Sequence, residues 1–242
     1  MKATARPKSV LIIQNIERER PGHIESLLAK HMLSSEIISA GNMAKNTNPS
    51  NYRAVIVLGG PDSANDVNQK MLRELDFVRR TVEEGIPYLG VCLGMQVLVK
   101  ATCGSVRTNE VKEIGFRNQR NGEPYVVSLT PEGKASPLFV GLPDIFPVFQ
   151  LHGETVDIVP GQKILAIGKD CHIQAVQIGE RAFGIQFHPE LTESMLGVWA
   201  REDSDFCALQ PPVSAEDVRY FKTNVQPLGL RIVENFVRLI KC

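Results

Sequence analysis

One cysteine lies in a sequence pattern typical of an enzyme nucleophile. Residues 90–94 read Gly-Val-Cys-Leu-Gly and directly follow a short apolar run. In a nucleophile elbow, a strand turns sharply into a helix, and the flanking glycines make room for the central side chain. Unpaired N–H groups and the positive dipole end at the start of that helix favour the thiolate of Cys92. The pattern predicts a cysteine nucleophile, with the N–H of Leu93 stabilising an oxyanion. If a base and its orienting group support it, Cys92 should be alkylated rapidly at neutral pH.

A thiol nucleophile needs a base, and the base needs a group that orients it. His188 follows a strand-like run and precedes Pro189 and Glu190. The rigid turn fixes the imidazole, and the carboxylate can return to its second nitrogen. We therefore predict that Cys92, His188 and Glu190 form a catalytic triad. The alternatives are a buried cysteine between two packing glycines and a histidine in a capped loop.

A pair of glycines ends another predicted strand. Residues 59–61 read Gly-Gly-Pro after an apolar run, and the backbone N–H groups of Gly59 and Gly60 can approach a substrate oxygen there. We expect this segment to supply the second half of an oxyanion hole. The alternative is an ordinary Gly-Pro turn. Because three strand-end motifs converge on one edge of the sheet, we favour the functional interpretation.

The remaining cysteines and histidines are expected to have packing or surface roles. Five cysteines occur at irregular gaps without a Cys-x-x-Cys pair, which argues against a disulfide framework and a zinc site. Cys171 and its neighbour His172 have no further ligands, so we expect no metal and no other cofactor. His23 and His31 fall in a helical pattern. The cysteines expected to pack as small apolar side chains are Cys103, Cys171, Cys207 and Cys242.

The elements that must position these residues alternate between strands and helices over the first hundred residues. Apolar runs without alternation indicate strands covered on both faces, whereas apolar residues at helical spacing indicate the helices between them. This order implies right-handed crossovers and a parallel sheet, with ligands beyond the carboxyl ends of the strands. The predicted strands are residues 9–14, 36–40, 52–58 and 87–91, and the predicted helices are residues 22–33, 68–84 and 93–101.

The second half of the chain has a different character. Short β-rich runs separated by Gly, Pro and Asn predict hairpins added to the sheet, and an apolar-periodic helix ends the chain. We predict an α/β fold with a single three-layer domain, a mostly parallel central sheet, added β-hairpins and a C-terminal helical tail. Residues 1–200 would form the domain and residues 201–242 a helical extension packed on it. The β-rich runs are residues 113–116, 125–129, 146–151, 164–168, 173–178 and 182–187.

The composition is that of an ordinary globular chain. Of 242 residues, 43% are apolar and 22% are charged, which is too apolar for disorder. Basic and acidic residues number 27 each, and this balance argues against non-specific binding to nucleic acid or to a membrane surface. The apolar runs are far shorter than the roughly 20 residues needed to cross a bilayer. We expect a soluble, cytoplasmic protein.

Four segments together resemble the class I glutamine amidotransferases, a family with a Cys-His-Glu triad. The elbow followed by Gln96, together with Gln-Phe-His-Pro-Glu at 186–190, forms a specific and correctly ordered pair. The region of predicted hairpins, including residues 136–143, is similar to stand-alone GMP-synthase-like members. The four segments are residues 57–61, 90–96, 151–154 and 184–190.

The resemblance implies a flavodoxin-like fold and an activity on glutamine. The thiolate of Cys92 would attack the side-chain amide and release ammonia, and water would then hydrolyse the γ-glutamyl thioester. His188 would be the base and Glu190 its orienting carboxylate. The resemblance also implies oxyanion donors, a residue beside the bound glutamine and the backbone that holds its amino-acid end. These positions are Gly59, Gly60, Leu93, Gln96, Leu151 and His152.

Two further segments bear on the substrate pocket and on the active edge. Biosynthetic members commonly have Ser-His-Gly-Asp where residues 151–154 read Leu-His-Gly-Glu, which weakens the assignment of the amino-acid end of the pocket. Residues 17–20 read Glu-Arg-Glu-Arg and follow the first strand on the predicted active edge. We interpret them as a solvated charged loop, with contact to a partner or a larger substrate as the alternative.

Three functions remain open from the sequence. The leading one is an amidotransferase that supplies ammonia to a separate ATP-dependent synthetase, because one domain leaves no room for an acceptor domain and the sequence lacks a G-x-x-x-x-G-K-[ST] phosphate loop. The second is a γ-glutamyl peptidase or hydrolase with the same triad, acting on a γ-glutamyl compound. The third is a non-catalytic regulatory or binding module, against which the intact triad argues.

Overall fold

The computed structural model describes residues 8–209 and 213–241. Strands and helices alternate in its first half, as predicted, and strands dominate the second half. The strands are β1 (Val10–Gln14), β2 (Ser35–Ser39), β3 (Ala54–Val57), β4 (Tyr88–Val91), β5 (Ser105–Gly115), β6 (Val126–Leu129), β7 (Ile145–Pro147), β8 (Gln150–Asp157), β9 (Lys163–Ile167), β10 (Ile173–Ile178) and β11 (Ala182–Ile185). The helices are α1 (His23–Lys30), α2 (Gln69–Glu83), α3 (Leu93–Ala101), α4 (Pro131–Ala135), α5 (Glu193–Glu202), α6 (Ser204–Cys207), α7 (Ala215–Tyr220) and α8 (Gln226–Lys241).

A nine-stranded sheet forms the centre of the molecule, in the order β2-β1-β3-β4-β11-β10-β9-β6-β7. The first five strands in this order are parallel to one another. Antiparallel pairing then makes β10 and β6 the two strands that run against the rest. The predicted α/β fold with a mostly parallel central sheet is confirmed. Because β4 and β11 are parallel neighbours, their carboxyl ends lie side by side, and the residues that follow them meet there.

Helices cover both faces of this sheet. Alternate residues of β1 show the two faces directly, since Ile12 belongs to one apolar cluster and Leu11 to the other. The cluster of Ile12 includes side chains from α1 and α8, and the cluster of Leu11 includes side chains from α2 and α3. Burial on both faces explains why the strand sequences show no polar alternation.

The predicted hairpins are correct only in part. Strands β9, β10 and β11 extend the central sheet through antiparallel pairs, but β5 and β8 form a separate two-stranded sheet. The predicted strand at residues 146–151 is therefore divided between β7 and β8. The chain leaves the central sheet between Val148, which packs in the cluster of Ile12, and Phe149, which packs in a third apolar cluster.

The C-terminal segment packs against the rest of the molecule. Along α8, Ile232, Val233, Phe236 and Ile240 are buried against the cluster of Ile12, as their periodicity predicted. The third cluster contains Trp199 and side chains from α5 and α6. Helix α5 continues past residue 200, so the predicted boundary falls inside a helix. Within the described residues, no helix is long and apolar enough to span a membrane.

Candidate active site

Cys92 occupies a strained turn between β4 and α3. Its φ of 51° and ψ of −107° lie where a side chain is rarely tolerated. A Cβ built on Gly90 would lie 2.3 Å from the carbonyl oxygen of Gly94, and one on Gly94 would lie 2.2 Å from that of Val57. Both positions therefore require glycine, which gives the spacing Gly-x-Cys-x-Gly its physical reason.

His188 and Glu190 lie beside this turn. The carboxyl ends of β4 and β11 are joined by a hydrogen bond, in which the N–H of Cys92 donates to the carbonyl of Ile185 at 2.8 Å. Nδ1 of His188 donates to Oε1 of Glu190 at 2.8 Å, and both side chains are almost completely buried. The ring of Trp199 packs edge-on against the imidazole, with 4.8 Å between centroids. Nε2 of His188 has no other hydrogen-bond partner among the described residues and is left for the thiol of Cys92.

The electrostatics of the pair differ from the sequence expectation. Burial raises the pKa of the Cys92 thiol, although His188 acts to lower it. Desolvation of the thiol outweighs the favourable charge of His188, so the net direction is opposite to the effect expected from the start of α3 alone. Burial alone would lower the pKa of His188, but the Glu190 carboxylate and Cys92 raise it well above its ordinary value. A more basic imidazole favours transfer of the thiol proton, whereas burial disfavours the separated charges.

A pocket of about 390 Å³ opens over the sulfur of Cys92. The sulfur lies 3.7 Å from the carbonyl oxygen of Leu151. Nε2 of Gln96 donates to Oε1 of Gln186 at 3.2 Å, which fixes the amide beside the pocket. Of the substrate-binding positions predicted from the sequence, Gly59 and Leu93 lie outside the pocket lining. Those that line the pocket are Gly60, Gln96, Leu151 and His152.

The charged segment after β1 is not simply a solvated loop, and this part of the sequence interpretation is wrong. Glu17 and Arg20 are exposed, but Arg18 pairs with Asp203 at 2.9 Å, and Glu19 is buried in the pocket wall. Burial raises the pKa of Glu19 from 4.5 to about 7, with His188 lowering it. Its position at the carboxyl end of β1, on the active edge, is the sequence signal that could have identified it.

A second buried group also combines cysteine, histidine and glutamate. The potential ligand atoms of Glu113, His152 and Cys171 lie within 4.8 Å of one another. His152 contacts Glu113 through Nε2 at 2.9 Å, and its Nδ1–H donates to the carbonyl of Glu154 at 3.0 Å. The sulfur of Cys171 contacts the Thr155 hydroxyl at 3.2 Å. Because each member is already bonded to protein groups, the cluster fits a structural role.

The other cysteines correct a further expectation. Cys171 is buried, as predicted, but Cys103 and Cys207 are exposed and do not pack as apolar side chains. Cys103 follows the C-terminal end of α3 with a φ of 73°, and Cys207 ends the short α6. Both therefore occupy surface positions at helix ends. Cys242 lies outside the described residues.

Sequence comparison relates the chain to glutamine-hydrolysing proteins. A family model described as glutamine amidotransferase class-I matches residues 23–198. The glutamine-hydrolyzing GMP synthase of Lactococcus lactis subsp. lactis is 33% identical over 165 residues, which are 67% of this chain and 29% of that protein. A gamma-glutamyl-L-1-hydroxyisopropylamide hydrolase from a Pseudomonas species is 30% identical over 146 residues, 58% of this chain and 48% of that protein. The chain thus spans less than half the length of these relatives.

Solved structures with the same fold cover nearly the whole chain. A glutamine amido transferase from Methylobacillus flagellatus matches with a TM-score of 0.83 and 25% identity, over 97% of this chain and 95% of its own. A glutamine amidotransferase from Thermotoga maritima matches with a TM-score of 0.82 and 22% identity, over 97% and 99%. At 22% identity, the match to the Thermotoga protein shows a similar fold only. The aligned region includes the C-terminal helices.

Proposed function

Since the family match spans more than half of its residues, the chain belongs to the class I glutamine amidotransferases, and we propose that it hydrolyses the side-chain amide of glutamine through a thioester on Cys92. The observation that carries this proposal is the buried pair of His188 and Glu190 beside a cysteine held on a strained turn under an open pocket. The family is catalytic, and this arrangement supplies a nucleophile, a base and an orienting carboxylate.

In the proposed first half-reaction, the sulfur of Cys92 attacks the amide carbon while its proton passes to Nε2 of His188. The Glu190 carboxylate holds the imidazole by Nδ1 and balances the charge that forms there. The N–H groups of Gly60 and Leu93 are assigned to the oxyanion. When the C–N bond breaks, the nitrogen takes the proton from His188 and leaves as ammonia. Water then attacks the thioester with His188 as base and releases glutamate.

The amino-acid end of glutamine is assigned to the part of the pocket lined by Gln96, Leu151 and His152. Gln96 lies there, and the backbone at Leu151 and His152 offers polar groups for the α-amino and α-carboxylate groups. The buried bond from His152 to Glu113 supports this backbone from below. The bonding of His152 at both ring nitrogens agrees with a structural rather than a catalytic role.

We further propose that the ammonia passes to a separate synthetase. A GMP synthase named as glutamine-hydrolyzing aligns with this chain over only 29% of its own length. We also propose that residues 201–242 act as an extension of the same domain, because α8 packs in the core and Asp203 to Asp205 line the pocket.

A γ-glutamyl hydrolase is the second candidate, and the extent of the pocket lining supports it. The pocket continues from Cys92 to the charged wall at residues 203–205, which leaves room for a leaving group larger than ammonia. A relative named as a hydrolase of a γ-glutamyl amide adds support. The same triad would act in both reactions.

The two candidates are separated by one assay of glutamate release. Purified protein is offered glutamine, a γ-glutamyl dipeptide or glutathione, and Cys92→Ala is compared with Cys103→Ala, a matched change at an exposed cysteine. We expect Cys92→Ala to lower the rate at least about a thousandfold and Cys103→Ala to retain it. Equal release by wild type and Cys92→Ala would contradict the thiol mechanism. Turnover of γ-glutamyl peptides alone would favour the hydrolase.

A further inference from the structure

Glu19 is a buried carboxyl in the reaction pocket that the mechanism above does not use. It lines the same pocket as Cys92 and is only 5% exposed. Its Oε2 has no hydrogen-bond partner among the described residues. Oε2 is enclosed by protein atoms, so a molecule in the pocket can reach this carboxyl only through Oε1. Glu19 also precedes residue 23, where the family match begins.

The enclosed oxygen Oε2 of Glu19 can lie where it does because residue 59 is glycine. A Cβ built on Gly59 would lie 2.1 Å from Oε2 of Glu19 and 3.2 Å from Cε1 of His188. The carboxyl therefore occupies the space that a side chain at residue 59 would take, directly beside the imidazole. This gives Gly59 a role in admitting Glu19, beyond the oxyanion role expected from the sequence.

The loop that carries Glu19 is anchored on its outer side. Nε1 of Trp199 donates to the carbonyl of Arg18 at 2.9 Å, and the Arg18 guanidinium pairs with Asp203 at the same distance. The ring of Trp199 also packs against His188. One aromatic residue thus fixes both the imidazole and the neighbour of Glu19, so the carboxyl is held in place before substrate binds.

Glu19 lies close to the imidazole that must protonate the leaving group. Its charged neighbours are His188, Glu190, Arg18 and Asp203. Gln96, which also lines the pocket, is assigned to the amino-acid end of the substrate. The nitrogen of the reacting amide must face the imidazole that protonates it, which brings that nitrogen within reach of the Glu19 carboxyl.

We propose that Glu19 binds the leaving amine, its carboxyl accepting a hydrogen bond from the N–H of the reacting amide while His188 protonates the same nitrogen. In this step the C–N bond breaks and its electron pair stays on nitrogen, which takes the proton from Nε2 of His188. Glu19 keeps its hydrogen bond and exchanges no proton. A neutral or an ionised carboxyl retains an acceptor oxygen. The inference rests on the proposed function and makes the site selective for amides over esters, since an ester oxygen carries no hydrogen to donate.

Two substrates that differ in the leaving atom test this proposal: glutamine and the γ-methyl ester of glutamate. The measured quantity is kcat/KM, which reports acylation and excludes hydrolysis of the common thioester. Glu19→Met removes the acceptor and is expected to lower kcat/KM for glutamine about 10- to 100-fold, with the ester nearly unchanged. Glu19→Gln keeps an acceptor oxygen and should recover most of the amide activity. Glu17→Met, at an exposed position on the same loop, should change neither substrate.

Two outcomes would overturn the proposal. An equal fall for the amide and the ester in Glu19→Met would mean that the residue is only structural, and unchanged glutamine turnover would mean that it does not bind the leaving group. Failure of the proposed function has a different signature, because Cys92→Ala would then hydrolyse both substrates as fast as wild type.

Discussion

Two buried clusters of cysteine, histidine and glutamate can be compared directly, because their histidine–carboxylate distances are nearly equal. His188 lies 2.8 Å from Glu190, and His152 lies 2.9 Å from Glu113. In both clusters the histidine and glutamate side chains are almost fully buried. Residue type, burial and pairing distance therefore do not separate the cluster assigned to catalysis from the one assigned to structure.

The two clusters differ at the ring nitrogen of each histidine that does not face the glutamate. Nδ1 of His152 is bonded to a backbone carbonyl, whereas Nε2 of His188 has no hydrogen-bond partner within residues 8–209 and 213–241 and is left for the thiol of Cys92. The sulfur of Cys171 is bonded to the Thr155 hydroxyl, and burial raises the pKa of that thiol to about 12. Cys92 lies instead on a strained turn that lines the pocket. A reactive cluster needs an uncommitted nitrogen and access for substrate, in addition to the three residue types.

The largest expected difference between the two clusters is in kcat, when the glutamate of each cluster is replaced by glutamine. Glu190→Gln disrupts the orientation and tautomer of His188, so we expect kcat for glutamate release to fall by about 10²- to 10⁴-fold. Glu113→Gln is the matched change in the structural cluster and should leave kcat within a few-fold of wild type. Comparable losses of kcat in both variants would remove the distinction between the clusters.

In contrast to kcat, the free energy of unfolding should depend strongly on Glu113. Glu113→Gln weakens a buried hydrogen bond to His152 and disturbs the bond donated by Gln174. We expect the free energy of unfolding, measured with urea, to fall by about 1.5–3 kcal/mol. Wild-type stability in this variant would mean that the second cluster does not hold the structure.

The pH dependence of alkylation sharpens the description of the Cys92 cluster. The pKa of Glu19 is about 7, and its carboxylate raises the pKa of Cys92. As Glu19 loses its proton with rising pH, the thiolate fraction of Cys92 should increase less steeply than for an isolated thiol. Glu19→Gln removes this effect and should be alkylated up to about tenfold faster on the alkaline side, equivalent to one pKa unit. Parallel profiles for wild type and Glu19→Gln would contradict the coupling, and Glu17→Gln is the control.

The smallest effect is expected at the sulfur of Cys171. Thr155→Val removes the hydroxyl that contacts Cys171. We expect the free energy of unfolding to fall by about 0.5–1.5 kcal/mol, with unchanged glutamate release. A change in kcat would show that the second cluster communicates with the reaction, contrary to our assignment.

The sequence is most informative where local patterns determine structure. Helix α3 begins and ends where the apolar pattern placed it, because one elbow and one buried strand define its start. Pairing of β5 with β8 depends on contacts between distant segments, which local alternation does not specify. The burial of Glu19 was missed for the same reason, since its loop is held by Trp199 and Asp203, far along the chain. Local patterns also could not reveal that both nitrogens of His152 are occupied.

Labelling with a glutamine-mimicking diazoketone, followed by peptide mapping, tests most directly the claim that only the Cys92 cluster is reactive. Wild type and Cys171→Ala should each acquire one adduct, located on Cys92, and Cys92→Ala should acquire none. An adduct on Cys171, or equal labelling of Cys92→Ala and wild type, would contradict the account.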